Sequence, residues 1–112
     1  MDTDIIIPIY NAFDFTKKCI ETVIEHTDLT KHTLLLINDK STDQRILPLL
    51  NLFTTEYPSL NITIINNESN QGFVRTVNIG MQHSSRDVVL LNSDTEVTKN
   101  WLPKIQKCAY SK

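Results

Sequence analysis

Apolar residues recur along this chain in two rhythms that alternate. The segments Asp4–Tyr10, Thr33–Ile37, Asn61–Asn66 and Asp87–Asn92 are short and rich in isoleucine, leucine and valine. The first is apolar on both faces and too short for a helix, which suits a strand buried in the middle of a parallel sheet. Between the strands the spacing changes to three and four. Asp14 is the expected cap of a first helix carrying Phe15, Cys19 and Val23 with Ile20 and Ile24, while Lys17, Lys18, Glu21 and Glu25 face water and the helix stops near His26 to Asp28. A second helix over Asp43–Tyr57 buries Ile46, Leu49, Leu50 and Phe53 and is stopped by Pro58; Pro48, deep inside it, predicts a kink or a restart at Leu47. A third opens at Gly72 or Phe73, aligns Phe73, Val77 and Met81 with Val74 and Ile79 on the flanks, and ends near Ser84 or Ser85. Asn100 is the expected cap of a last helix with Trp101, Leu102, Ile105 and Cys108 on one stripe and Pro103 tolerated in its first turn.

The order is therefore βαβαβαβ plus a terminal helix, without an internal repeat. It predicts an α/β fold: a mostly parallel four-stranded sheet with right-handed crossovers and helices on both faces, a Rossmann-like nucleotide-binding half. Such a layout hosts many chemistries and assigns none.

Bulk properties narrow the field. The 112 residues, 40% apolar and 21% charged, make one domain large enough for a core. No apolar stretch approaches the ~20 residues of a membrane span, so no transmembrane segment is expected. A net charge of −2 gives no basic footprint for nucleic acid. Cys19 and Cys108 lack metal-finger spacing and no leader pattern precedes the first strand, so the expected location is cytoplasmic with reduced thiols. His26, His32 and His83 are scattered and read as ordinary surface or helix-end residues.

Candidate chemistry lies where the strands end. Both glycines of the chain, Gly72 and Gly80, fall in the segment Asn70–Gly80, where a side chain would obstruct a tight turn or a close approach. Three polar clusters follow strands: Tyr10-Asn11, Asn38-Asp39, and Asn92-Ser93-Asp94-Thr95-Glu96. In a parallel sheet they converge on one edge, where an extended ligand such as a sugar nucleotide can be read by several loops. Asp39 either accepts hydrogen bonds from a pyrimidine or ribose or caps and turns the chain. Arg75 pairs with phosphate or is a solvated helix residue. Asp94, with Asn92 beside it and Glu96 two further on, offers oxygen ligands to Mg²⁺ or Mn²⁺, or these are plain turn residues.

Pro8-Ile9-Tyr10-Asn11, Ile37-Asn38-Asp39-Lys40-Ser41-Thr42-Asp43, Asn70-Gln71-Gly72-Phe73 with Asn78-Ile79-Gly80, and Leu91-Asn92-Ser93-Asp94-Thr95-Glu96 together resemble the donor-binding half of a family 2 glycosyltransferase with the GT-A fold. The resemblance covers nearly the whole chain. It implies a UDP- or dTDP-sugar donor, a divalent cation, and inverting transfer to an acceptor hydroxyl. Carried over by position, Pro8, Ile9, Tyr10, Asn11 and Asp39 contact the nucleoside and Arg75 lies near the nucleotide. Asn92, Ser93 and Asp94 occupy the place of the metal signature, with Asp94 the leading ligand, Asn92 a weaker one and Glu96 a weak one. The chain departs from the pattern at Asn38 in the usual acidic pair, at Lys40 where Gly is common, and at Asn92 where the first acid of the metal signature stands.

The same resemblance implies a continuation that supplies the acceptor site and the general base. Residues 1–112 are accordingly expected to be the nucleotide-sugar-binding N-terminal part, with the acceptor-binding half absent, no general base in the chain and little activity alone. A saccharide or lipid-linked acceptor is reached through the missing half, and the full-length protein is a candidate for the inner face of the membrane. Apolar surface left where that half packs predicts a homo-oligomer. The alternative is a non-catalytic nucleotide-binding or oligomerisation module. A phospho-receiver domain needs an acidic pair after the first strand, which Tyr10-Asn11 does not supply, and a nucleotidyltransferase needs a glycine- and arginine-rich loop there.

Overall fold

The four apolar runs form the strands of one parallel sheet, β1 (Thr3–Ile9), β2 (Thr33–Asn38), β3 (Ile62–Asn66) and β4 (Asp87–Leu90), in the spatial order β3-β2-β1-β4. The structure, a computed structural model, describes residues 2–84 and 86–110, with side chains as far as Gln106. Helices α1 (Phe13–His26), α2 (Ile46–Glu56) and α3 (Phe73–Gln82) connect the strands, and α4 (Trp101–Tyr110) follows β4.

Side-chain alternation along the strands divides the core between two faces. Ile5, Ile7, Ile9, Leu34 and Leu36 pack with Cys19, Ile20 and Val23 of α1, with Ile46, Leu49, Leu50 and Phe53 of α2, and with Trp101 and Leu102 of α4. Ile6, Leu35 and Ile37, joined by Ile65 and Val88, form the other face. There α3 lies against β1 and β2, and Gly80 leaves no room for a side chain: a Cβ on that residue would sit 2.7 Å from Ile37 Cδ1 and 2.9 Å from Ile6 Cγ2. The chain steps one way through α1 and α2 and returns through α3. Right-handed crossovers running in opposite directions place their helices on opposite faces.

Several local expectations need correction. Asp14 does not cap α1. The cap is Ala12 in a left-handed conformation (φ 54°), directly after Asn11 (φ 55°), and Asp14 stands in the first turn, where its charge suits the helix dipole. Phe15 is 64% exposed, and the buried stripe of α1 is Thr16, Cys19, Ile20, Thr22 and Val23. In α2 there is no kink or restart, because the helix begins at Ile46 and Pro48 falls in its first turn, where a missing N–H leaves no bond unmade. The buried line of α3 is Thr76, Val77 and Gly80, while Phe73, Val74 and Met81 are exposed. Strand β4 ends at Leu90, two residues early. Ser85 and the side chain of Cys108 lie outside what the structure describes.

His32 is also not a surface residue. It is buried, its Nδ1 accepts the Thr3 N–H at 3.1 Å, and burial, with Lys31 nearby, lowers its pKa. Close by, Arg86 pairs with Asp4 (3.1 Å) and Asp2 (3.6 Å) and donates to Thr33 Oγ1, which locks the amino-terminal edge of the sheet. Among the described residues, no helix is long and apolar enough to cross a membrane.

Candidate functional site

Because all four strands are parallel, the loops after β1, β2 and β4 leave one edge of the sheet, opposite the Arg86 lock. Strand order reverses at β1, with β2 on one side and β4 on the other, so the crevice between the β1 and β4 loops is a topological switch point. Tyr10 and Asn11 stand on one side of it and the Asn92–Glu96 segment on the other.

The β1 and β2 loops are stapled together. Asn11 donates its backbone N–H to Ser41 Oγ (2.9 Å) and its side-chain N–H to Thr42 Oγ1 (2.9 Å), and its Oδ1 accepts the Asp43 N–H (2.9 Å). Asp39 N–H adds a bond to Ile9 O at 2.8 Å. Both ends of the Asn11 amide are thus engaged within the protein, which fixes the loop and leaves Tyr10, 48% exposed, as its projecting side chain.

Asp39 is buried beneath this rim. Its Oδ1 accepts the Gln71 N–H (2.7 Å) and Asn67 Nδ2 (2.9 Å), and its Oδ2 accepts the Gly72 N–H (2.9 Å). Burial pushes its carboxyl up, but the bonds from Gln71, Asn67, Gly72 and the Thr76 hydroxyl outweigh that and hold it below the ordinary value. Four donors meet a group with about four lone-pair sites. The carboxylate therefore anchors the turn that starts α3: it takes orphan amides at the helix entrance and complements the positive end of the helix dipole. Gly72 (φ 81°) supplies the backbone that aims both amides at one carboxylate.

This anchoring builds a niche of about 100 Å³ lined by Pro8, Ile9, Tyr10, Asp39, Phe73 and Thr76. Sites that enclose a drug-sized ligand measure roughly 300–1,000 Å³. The niche accordingly fits one planar ring and leaves the rest of any nucleotide along the open rim. Arg75 is exposed in the first turn of α3 and does not line the niche.

Beyond the crevice, Asn92 to Thr95 form a turn closed by the Thr95 N–H to Asn92 O bond (3.0 Å). Asn92, Asp94 and Glu96 are exposed and Ser93 half-buried. No hydrogen bond or ion pair engages the Asp94 carboxylate among the described residues. The turn is seated on α1: Cys19 Sγ lies 3.6 Å from Asn92 O and Thr22 Oγ1 accepts the Val97 N–H. Burial pushes the Cys19 thiol up to about 12, the Thr95 backbone pulls it partly back, and the Asp94 charge adds to the rise. Among the described residues no group of three His, Cys, Asp or Glu side chains is gathered to hold a metal by itself. The turn instead offers one free carboxylate flanked by an amide and a second acid.

The structure thus brings Pro8, Ile9, Tyr10 and Asp39 to one niche, with Asn92, Ser93, Asp94 and Glu96 across the switch point; it does not bring Arg75 into the niche lining. Phe73, Thr76 and Asn67 were not among the candidate site residues, although Phe73 stands in the Asn70-Gln71-Gly72-Phe73 motif and was expected in the core line of α3. The signals available for them were a Gly–aromatic start to a helix, a polar residue three positions on, and one Asn in a run of turn formers.

Residues 4–110 match the family model described as glycosyl transferase family 2. Among curated proteins, the chain is 29% identical over 96 residues to the uncharacterized glycosyltransferase YwdF of Bacillus subtilis (strain 168), covering 86% of this chain and 33% of that protein. Among solved structures it resembles the mannosyltransferase PcManGT from Pyrobaculum calidifontis in complex with GDP-Man and Mn²⁺ (TM-score 0.75, 19% identity, 82% of this chain and 27% of that one). It also resembles S. aureus TarS 1-349 in complex with UDP-GlcNAc (TM-score 0.76, 21% identity, 95% and 30%) and GalNAc-T7 with UDP, GalNAc and Mn²⁺ (TM-score 0.79, 20% identity, 91% and 20%). At these identities the solved structures establish the GT-A fold. The chain spans about a third of the length of the curated relative it matches.

Proposed function

This chain belongs to glycosyl transferase family 2, and from that premise we propose that it forms the nucleotide-sugar-binding N-terminal part of an enzyme that transfers a sugar, with inversion, from a nucleotide-diphospho-sugar to an acceptor hydroxyl. The observation that carries the proposal is the pairing of a one-ring niche, anchored by Asp39, with a free carboxylate across the switch point. A donor of this kind has those two ends, a planar base and a diphosphate that seeks a cation.

In this reading the base enters the niche between Tyr10 and Phe73, with Pro8 and Ile9 beneath it. Asp39 anchors the wall that carries Phe73 and Thr76, and Asn11 fixes the loop that carries Tyr10. Arg75 faces the phosphates with its planar fork. Asp94, with Asn92 and Glu96 as weaker contributors and Ser93 in the same turn, would hold Mg²⁺ or Mn²⁺. The donor set fits: a hard cation that keeps waters and substrate phosphates needs only one or two carboxylates from the protein. When bound, such a cation neutralises charge that grows on the leaving diphosphate. The solved mannosyltransferase is in complex with GDP-Man and Mn²⁺ and the GalNAc-T7 structure contains UDP, GalNAc and Mn²⁺, which supports the same choice here.

Deprotonation of the incoming hydroxyl requires a base on the far face of the sugar. That base and the acceptor site are assigned to the portion of such proteins that this chain does not span, so the chain binds donor and turns it over little by itself. Calorimetric titration with UDP and dTDP tests the proposal. Binding is expected to strengthen on adding Mn²⁺ in the wild type and to lose that response in Asp94→Ala. Equal affinity with and without Mn²⁺ in both proteins overturns the assignment.

A further inference from the structure

A second cleft, on the other face of the same sheet edge, is left unused by this reading. It has a volume of about 520 Å³ and lies over the carboxyl ends of β2 and β3 and the start of α2. Strand alternation separates it from the niche: Asp39 points towards α3, and Asn38, one residue earlier, belongs to the α2 side. Its lining includes an amide pair, buried Asn38 and exposed Asn66. Asn38 and Asn66 are register partners, Asn38 Nδ2 donates to Asn66 Oδ1 at 3.2 Å, and Asn38 Oδ1 accepts the Ser41 N–H at 3.0 Å.

An amide nitrogen carries two donors. Asn38 is buried and uses one of them on Asn66, and no bond among the described residues engages either donor of Asn66 or the Gln44 amide. Leu47 and Pro48, both exposed, add apolar surface to the same lining. The one acid on the lining, Asp43, is neutralised by Arg45 through two bonds of 2.7 and 3.0 Å. That leaves Lys40 as the uncompensated charge of the cleft. Lys40 adopts φ 55°, a left-handed conformation that a side-chain-bearing residue rarely takes and that it shares with Asn11, Ala12 and Asn100. Non-glycine residues held in such strain cluster at ligand clamps.

We propose that this cleft is a saccharide-binding subsite for a sugar that carries an anionic group, a carboxylate or a phosphate. The chemistry of the lining selects that class. Hydroxyls of a pyranose meet the amides of Asn38, Asn66 and Gln44, the ring's C–H face lies on Pro48, and the anionic substituent pairs with Lys40. The cleft is open to solvent, and its volume falls within the range of small-ligand clefts. The site is separate from the niche used in the proposed donor binding, so its failure leaves that reading intact.

The test is two-dimensional NMR of the whole ¹⁵N-labelled chain titrated with glucuronic acid, glucose 1-phosphate, glucose and inorganic phosphate. Glucuronic acid and glucose 1-phosphate should shift the side-chain amides of Asn38, Asn66 and Gln44 while the Phe73 and Thr76 backbone signals stay in place. Glucose should bind about tenfold more weakly, the size of one charge-assisted hydrogen bond. Lys40→Gly relieves the strained backbone, so the variant folds, and it should bind the acidic sugars no better than glucose. Asn66→Ala should weaken all three sugars. Shifts absent at millimolar sugar, shifts centred on the niche, or inorganic phosphate reproducing the whole pattern would each overturn the proposal.

Discussion

The two glycines of α3 serve different physical ends, and replacing each by alanine separates them. At Gly80 the backbone is helical and the obstacle is steric. A Cβ would stand 2.7 Å from Ile37 Cδ1, 2.9 Å from Ile6 Cγ2 and 3.0 Å from Ile6 Cδ1. Carbon atoms rest at about 3.5–4.0 Å, so α3 or the two isoleucines must move by roughly 1 Å. Both isoleucines are fully buried and stiff at χ1. Overpacking of this kind costs about 1–3 kcal/mol, and the better helix propensity of alanine returns about 1 kcal/mol. Gly80→Ala should therefore destabilise by up to about 2 kcal/mol. In urea, with an m-value of about 2 kcal/mol/M, the midpoint should fall by up to roughly 1 M. Gly72→Ala meets no atom within 4 Å, and its cost comes from φ 81° and ψ 168°, a region open essentially to glycine alone and worth about 1–3 kcal/mol. Ile37→Val distinguishes the two causes, since it removes the nearest clashing carbon. Combined with Gly80→Ala it should show a favourable coupling of about 1 kcal/mol, and combined with Gly72→Ala it should add within about 0.5 kcal/mol. Strict additivity of Gly80→Ala with Ile37→Val would refute the packing argument.

Asp39→Asn replaces an acceptor-only group with one that presents N–H to the Gln71 or Gly72 amide, and a loss of about 2–3 kcal/mol is expected in urea melts, with weaker nucleotide binding from the loosened α3 entrance. The Asp39 pKa is lower folded than unfolded, so its contribution is present above the ordinary carboxylate value of 3.8 and is lost as pH falls through the folded value; in Asp39→Asn this part of the acid-unfolding limb should disappear. His32 also has its pKa lowered by burial, so the unfolded chain binds its proton first, and stability should decline as pH drops below 6.5 in the wild type but not in a His32→Gln variant that keeps an acceptor for Thr3. With Cys108 replaced by Ser, Cys19, raised to about 12, should resist a thiol reagent at pH 8 in the native state and react on unfolding.

The strands and the face of α2 were legible in the sequence because each is set by its own short pattern. Ile5–Ile7 and Leu34–Ile37 permit no exposed face, and Ile46, Leu49, Leu50 and Phe53 fall on one side of any helix that contains them. The stripes of α1 and α3 were less legible because the sheet is covered unevenly. Phe15 and Phe73 sit in first turns that overhang the sheet edge, so periodicity places them near the core while the edge leaves them in solvent. Polar Thr16 and Thr76 take the buried positions because their hydroxyls bond locally, to Asn11 O and to Asn67. Lys40 and Gly72 show backbone demand directly, one straining where glycine is expected and one supplying the freedom. The role of Asp39 was only half legible. A polar residue at a strand end announces a site, but its partners Asn67, Gln71 and Gly72 lie 28 to 33 residues away, and only the fold brings them together.

The claim that the Tyr10, Asp39 and Asp94 loops grip one nucleotide through a cation is tested most directly by paramagnetic broadening of amide signals with Mn²⁺ in the presence of UDP. The account predicts loss of the Asn92–Glu96 signals first, then Tyr10 and Asn11, only when nucleotide is present, with Asp4, Thr33 and Arg86 at the opposite edge unaffected. Broadening that is independent of UDP, or that centres away from Asp94, would contradict it.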